Sequence, residues 1–267
     1  MYGASGWGGL QFEVLSHETF LLLSSKLLYG LGFGSVSFFF LYTAISLSIK
    51  FYLIDKYSKD KWLSLAFFSS YYFILHDSTQ IRFGLAIAFV YLGLSYLANN
   101  QRLFFSLVVL LSAMLFHISS IVFIAMLFFT GRHSFTLLFS LIGLAVSLYL
   151  VDLRVVLLET VVPIIRSLEI NVWAIDKLLF YIERHNISDK FGLFNWRVLP
   201  VYFSAIVLYQ YRNAFSKYET LCYKSLLISI FCYIFLKDLT EIQYRLSGLF
   251  GFSFVFLVPY LSLIHIS

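Results

Sequence analysis

Asp77, Arg82 and His117 are groups able to do chemistry in a stretch otherwise apolar enough to face lipid: DSTQIRFGLAIAFVYLGLSYLANNQRLFFSLVVLLSAMLFHISSIVFIAMLFF, residues 77–129. An ionisable side chain at membrane depth is costly, which makes each a candidate site residue. Arg82 opens one apolar run just after Asp77 and Gln80. A guanidinium there can hold a phosphate bidentately and keeps its charge; the plainer alternative is snorkelling to the headgroups or pairing with Asp77. His117 follows Phe116 and shortly precedes Ser119. Its imidazole suits a general base or a hydrogen-bond donor, or else a ring bonded to the backbone at a helix break. Tyr244 and Arg245, with Asp238 and Glu241, make a second cluster. Its carboxylates and guanidinium share one helical face, where an intrahelical ion-pair set is the plainer reading. Tyr181, Glu183, Arg184 and His185 make a third, suited to a sugar or phosphate or simply to a solvated face.

Membrane helices must position these groups. The chain of 267 residues is 60% hydrophobic and 12% charged, with a mean hydropathy of +0.86. Soluble domains carry about 25% charged residues, so this composition predicts an integral membrane protein. The apolar runs do not alternate in polarity as barrel strands would, so the spans are helices. The abundant Tyr and Phe, 19 and 31 residues, suit aromatic belts at the bilayer surfaces. Net charge is +5 and lies in loops, which points to membrane topology and away from nucleic acid. Cys222 and Cys232 form neither a disulfide framework nor a metal pattern. A phosphate-cradling Gly-rich loop, CxxC, HExxH and GxSxG are all absent, so no metal or cofactor is expected.

In chain order, Glu13–Tyr29 reads as an amphipathic interfacial helix and Phe33–Ile54 as the first span. Lys50, Lys56, Lys59 and Lys61 then mark a topogenic loop on the cytoplasmic side. Trp62–Leu75 returns to His76 and Asp77, and Thr79–Ala98 goes back. Leu103–Phe129 is too long for one span of ~20 residues and too short for two. Two short helices meeting near His117 would put Arg102 and Arg132 inside and His117 on the side of His76, Asp77 and Arg82; one long tilted span would invert every later loop. Charge bias favours the first threading. Ser134–Val151 leads to a charge-balanced outer segment of about 152–196, followed by spans over Arg197–Tyr211, Ser225–Leu236 and Leu246–Tyr260. The expectation is an all-α, polytopic transmembrane bundle of about eight or nine helices in a single membrane domain, residues 1–260. The last seven residues, LSLIHIS (261–267), are the in-frame translation of a transposase adapter used in sequencing libraries. They are expected to be a non-native tail on a fragment.

The run from Ile81 to Leu127 resembles the central signature of the EpsG-type polysaccharide polymerases, relatives of the Wzy O-antigen polymerases. The resemblance lies in IRxxLA (Ile81, Arg82, Leu85, Ala86), a basic turn at Arg102, and a helix ending FHxS (Phe116, His117, Ser119). QYRLSGLFGFSFVFLVPYL is similar to that family's late segment, and FEVLSHETFLLLSSKL to the stretch before its central helices. The resemblance covers about residues 12 to 260. It also implies further family segments before and after this stretch.

The resemblance implies an enzyme of the bacterial inner membrane with its site facing outside. It would transfer glycan between undecaprenyl-diphosphate-linked repeat units, with the bilayer and other export or chain-length proteins as partners. Such chemistry needs cations for the departing diphosphate and a base for the acceptor hydroxyl. Arg82 and Arg245, with Arg184 third, suit the first task. His117 or Asp77 suits the second, and Tyr244, Glu241, Asp238 and Tyr181 are further candidate contacts. Other classes remain: a flippase for lipid-linked sugars, a membrane acyltransferase, or a structural partner subunit.

Overall fold

The computed structural model describes residues 19–99, 103–131, 134–150, 160, 198–237 and 240–262. Among these there is no strand; the chain is a bundle of helices, as its composition requires. A short helix α1 (Thr19–Gly30) is followed by α2 (Ser35–Tyr57), then α3 (Lys61–Phe67), which widens into a π-helical segment, Phe68–Ser78. Next come α4 (Ile81–Ala98), α5 (Leu103–Phe116), a 3₁₀ arm (Ile118–Phe129) and α6 (Ser134–Leu150). Further along the chain come α7 (Leu199–Gln210), α8 (Lys217–Phe235), α9 (Thr240–Gly251) and α10 (Phe254–Ser262).

Three helices are long and apolar enough to cross a membrane, α2, α4 and α8. The pair α9 and α10 makes a fourth span bent by 56°, and α5, the 3₁₀ arm, α6 and α7 are shorter apolar helices. Large side chains on the outer helices stay bare, with Phe40 75%, Phe104 72% and Phe203 69% exposed. Lipid is the solvent that tolerates such a surface.

Lys56, Lys59 and Lys61 share one end of the bundle, here termed the basic end, with Lys217 and Arg212: Tyr57 stacks on Tyr218, and Lys59 and Tyr211 both meet the Tyr260 ring. Asp60 starts α3 there, its carboxylate accepting from the backbone N–H groups of Trp62 and Leu63 at 3.0 and 3.1 Å. A capping box starts α8: Ser216 Oγ accepts from the Glu219 N–H, and Glu219 Oε2 from the Ser216 N–H. α8 therefore begins at Lys217, earlier than the span expected from Ser225, and Lys224 lies within it. Lys224 is 2% exposed, donates to the Gly131 carbonyl at 2.9 Å, and stands over the Phe135 ring.

The long run through His117 resolves as two short helices that reverse direction. On the way up, Leu110 packs at Gly93 and Phe116 against Phe89. His117 then meets Phe83, and six residues later Phe123 lies against Tyr91. The chain thus climbs α4 towards its start and descends it again, so α5 and the 3₁₀ arm form a hairpin with His117 at its tip. This is the two-helix arrangement of the first threading; Arg102 and Arg132 lie outside the described residues. Close approach of α5 to α4 depends on Gly93, where a methyl group would lie 2.8 Å from Leu110 Cγ; Ser106 Oγ also donates to the Gly93 carbonyl at 2.8 Å.

The break between α9 and α10, at Phe252 and Ser253, is sealed by hydroxyls. Tyr91 Oη accepts from the Ser253 N–H at 2.8 Å and donates to the Phe250 carbonyl at 2.8 Å. Ser225 Oγ donates to the Phe250 carbonyl, Ser229 Oγ to that of Ser247, Tyr72 Oη to that of Gly251 and Ser64 Oγ to that of Val255, at 2.6 to 2.9 Å. A helix broken inside a membrane needs such partners, because each unsatisfied backbone group costs several kcal/mol there.

Candidate functional site

The π-helical segment delivers His76 and Asp77 to the interior. Its buried residues are Phe68, Tyr72, His76 and Asp77. Phe68, Tyr72 and His76 recur every four residues, a spacing that the wider turn keeps on one face. Asp77 ends in a closed set of contacts with α2. Lys50 Nζ lies 2.7 and 2.6 Å from its two carboxylate oxygens, and Ser46 Oγ donates to Oδ1 at 2.5 Å. Both charged side chains are 0% exposed. Lys50 also stands 5.3 Å from the Phe252 ring and 5.7 Å from that of Phe68.

This corrects two expectations. Lys50 is not part of a topogenic loop: α2 runs on to Tyr57, and the ammonium is inside the bundle. Asp77 is level with the middle of α2, at Thr43, Ser46 and Lys50, rather than at a mouth. The carboxylate that the sequence offers as a partner for Arg82 is thus taken up by Lys50.

His76 and His117 come together across one ring. Phe83 lies edge to face with both, at centroid separations of 5.0 Å to His76 and 5.0 Å to His117. Two glycines permit this. Gly84 lets the end of the π segment press on α4: a methyl group there would stand 2.7 Å from Asp77 Oδ1 and 2.9 Å from the His76 carbonyl oxygen. Gly248, in α9, faces the ring edge of His76, where a methyl group would lie 3.4 Å from Cε1 and 3.5 Å from Nε2. His76 is 4% exposed, and neither ring nitrogen has a hydrogen-bond partner among the described residues.

Each arginine lies within one turn of a residue that packs on these rings. Arg82 is half-buried and adjoins Phe83 in the first turn of α4. Arg245 is half-buried in α9, three residues before Gly248 and so on a neighbouring part of that helix surface. Tyr244 is 48% exposed beside it, and Glu241 falls in the first turn of the same helix. Asp238, Tyr181 and Arg184 lie outside the described residues, as does the rest of the outer segment apart from Thr160. Arginines in these turns and two imidazoles on the Phe83 ring are residue types that bind an oxyanion and move a proton. No group of three or more His, Cys, Asp or Glu suited to a metal occurs among the described residues. A cavity of about 260 Å³ lies at the basic end, lined by Tyr57, Ala98, Asn99, Ser216, Lys217 and Tyr218, away from the histidines.

Sequence reasoning missed His76 as a site residue and misplaced Lys50. His76 carried a signal, since it is an ionisable group next to Asp77 at the end of an apolar run. The roles of Gly84 and Gly248 become visible only once the opposing elements are known.

No curated protein and no solved structure matches the chain. The sequence model of the EpsG family matches residues 3–267, nearly its whole length. Together with an all-helical membrane bundle centred on the Arg82–His117 stretch, that match means that the chain belongs to the EpsG family.

Proposed function

We propose that this chain is a polysaccharide polymerase of the bacterial inner membrane that transfers glycan between undecaprenyl-diphosphate-linked repeat units at the outer face. The observation that carries the reading is the meeting of His117 with Phe83, which follows Arg82 in the first turn of α4 and lies against Gly248, one turn on from Arg245. Family membership agrees with it. By the positive-inside rule the basic end is cytoplasmic, which turns the arginines outward.

In this reading Arg82 and Arg245 hold the diphosphate of the donor. The acceptor hydroxyl attacks the anomeric carbon, the bond from that carbon to the diphosphate oxygen breaks, and the departing charge falls to the guanidiniums. His117, at the hairpin tip, orients the acceptor or takes its proton. Arg184 and Tyr181 of the outer segment, with Asp238, Glu241 and Tyr244, are further contacts to the glycan. No cofactor is required, because the diphosphate is already the leaving group. The bilayer holds the lipid carriers, and export and chain-length proteins would receive the product.

One observation favours a flippase, namely the broken helix α9–α10 at membrane depth, a device of transporters. Hydroxyls from α3, the π segment, α4 and α8 satisfy that break, so its backbone is occupied by the protein itself. The test is complementation: the complete gene in a strain lacking its own polymerase but making the matching repeat. A ladder of glycan lengths, lost with Arg82→Ala or His117→Ala at normal membrane levels, is expected. A wild-type ladder from Arg82→Ala would refute the role of that residue. Repeats trapped inside, and released by this gene as single units, would favour the flippase.

A further inference from the structure

We infer that His76 is the group that accepts the proton of the acceptor hydroxyl, a role for which the sequence had offered Asp77 or His117. The inference rests on the polymerase reading. A polar side chain buried to this depth normally has a hydrogen-bond partner, and its absence asks for an explanation such as a ligand. His76 is 4% exposed, with Nδ1 and Nε2 both unpartnered among the described residues. Tyr72 and Phe83 hold the ring without offering it a hydrogen bond, at 5.7 and 5.0 Å between centroids. Tyr72 gives its own hydroxyl proton to Gly251 instead. Asp77, the nearest carboxylate in sequence, is occupied by Lys50 and Ser46.

The Cε1–Nε2 edge of His76 faces Gly248, where the missing side chain leaves a methyl-sized space against α9. Arg245 is three residues from that glycine, so a diphosphate held there brings the reacting carbon near the imidazole edge. Nε2 takes the proton as the hydroxyl oxygen bonds to the anomeric carbon. The imidazolium formed faces a departing diphosphate. His117, across Phe83, keeps the orienting role.

Three variants in the complementation strain test this, each with membrane levels and retention of the lipid-linked repeat measured on purified protein. His76→Gln keeps a hydrogen-bonding group but takes up no proton; repeat binding should persist while polymer formation falls about 100-fold or more. His76→Ala should regain polymer when free imidazole is added, which a purely structural histidine would not show. Gly248→Ala leaves His76 intact and makes only van der Waals contacts with it; it should fold normally yet lose polymer, because its methyl occupies the open edge. A wild-type ladder from His76→Gln overturns the inference, as does normal polymerisation by Gly248→Ala together with no rescue of His76→Ala. A ladder from wild type that Arg82→Ala abolishes and His76→Gln does not would leave the polymerase reading standing and remove this inference alone. No ladder from wild type would overturn both.

Discussion

Removing Lys50 tests whether its pair with Asp77 is structural or chemical. Lys50→Met keeps most of the stem volume and deletes the ammonium. Asp77 would then keep only the Ser46 hydroxyl against its carboxylate oxygens. Two unit charges about 3 Å apart attract by about 6 kcal/mol at an effective dielectric of ~20. Desolvation offsets much of this in the intact pair, but a single deletion leaves the other charge buried, at a typical cost of about 3–5 kcal/mol. Both partners are 0% exposed, so the upper part of that range applies. Lys50→Met/Asp77→Leu removes both charges. Ser46 can then turn its hydroxyl to a carbonyl one turn back on α2. The double variant should therefore lie within about 1–2 kcal/mol of wild type.

The assay is unfolding of detergent-solubilised protein for wild type, both single variants and the double. The coupling energy of the cycle should be several kcal/mol. Singles that add in the double would refute the buried pair as described. Glycan ladders from the same variants carry a second outcome. If Asp77 only anchors the π segment, the well-folded double variant should keep its ladder. A folded double variant with no ladder would show that Asp77 handles the proton after all.

Gly84→Ala should destabilise the protein by about 1–3 kcal/mol, since its methyl would meet a backbone oxygen at 2.9 Å that cannot swing aside. Gly143→Ala, with nothing within 4 Å, should in contrast be neutral or stabilising in the same unfolding assay. Tyr91→Phe removes the hydroxyl that serves Ser253 and Phe250 at the helix break, and should cost about 1–3 kcal/mol by thermal unfolding. Arg82→Lys and Arg245→Lys keep the charge but lose the planar fork; shortened ladders, with substrate affinity reduced more than protein level, are expected. Ladders of wild-type length from both would argue against bidentate phosphate binding.

The helical class and the His117 hairpin were legible because length and hydropathy constrain them directly. A run that exceeds one span and falls short of two must either tilt or reverse, and the histidine marks where it reverses. Lys50 and Lys224 were illegible for a related reason. Charge bias treats each lysine as a loop marker, yet both lie inside helices whose boundaries depend on partners far along the chain. For Lys50 the partner is Asp77, 27 residues on, and for Lys224 it is the Gly131 carbonyl, 93 residues back. Nothing local to KSLL or SIKF announces either contact. The capping box Ser216-x-x-Glu219 was a local signal that places the start of α8 ahead of Lys224.

The bundle's irregular backbone is not scattered. The π segment carries His76 near its end at Ser78, the hairpin reverses at His117, and the bent span breaks at Ser253. Each interruption packs on α4: the first two at Phe83 and Gly84, the third at Tyr91. Lipid would not tolerate any of them exposed, so α4 must be covered on several sides, and it is the helix with buried residues from Phe83 through Ala98. A helix so enclosed can present chemistry only at its ends, and one of them, at Ala98 and Asn99, borders the cavity at the basic end. The other end is Ile81 and Arg82, both half-buried, just before the Phe83 ring on which the hairpin tip packs. On the proposed reading the position of the site follows from how the breaks are buried, since two of them deliver His76 and His117 to the ring that follows Arg82.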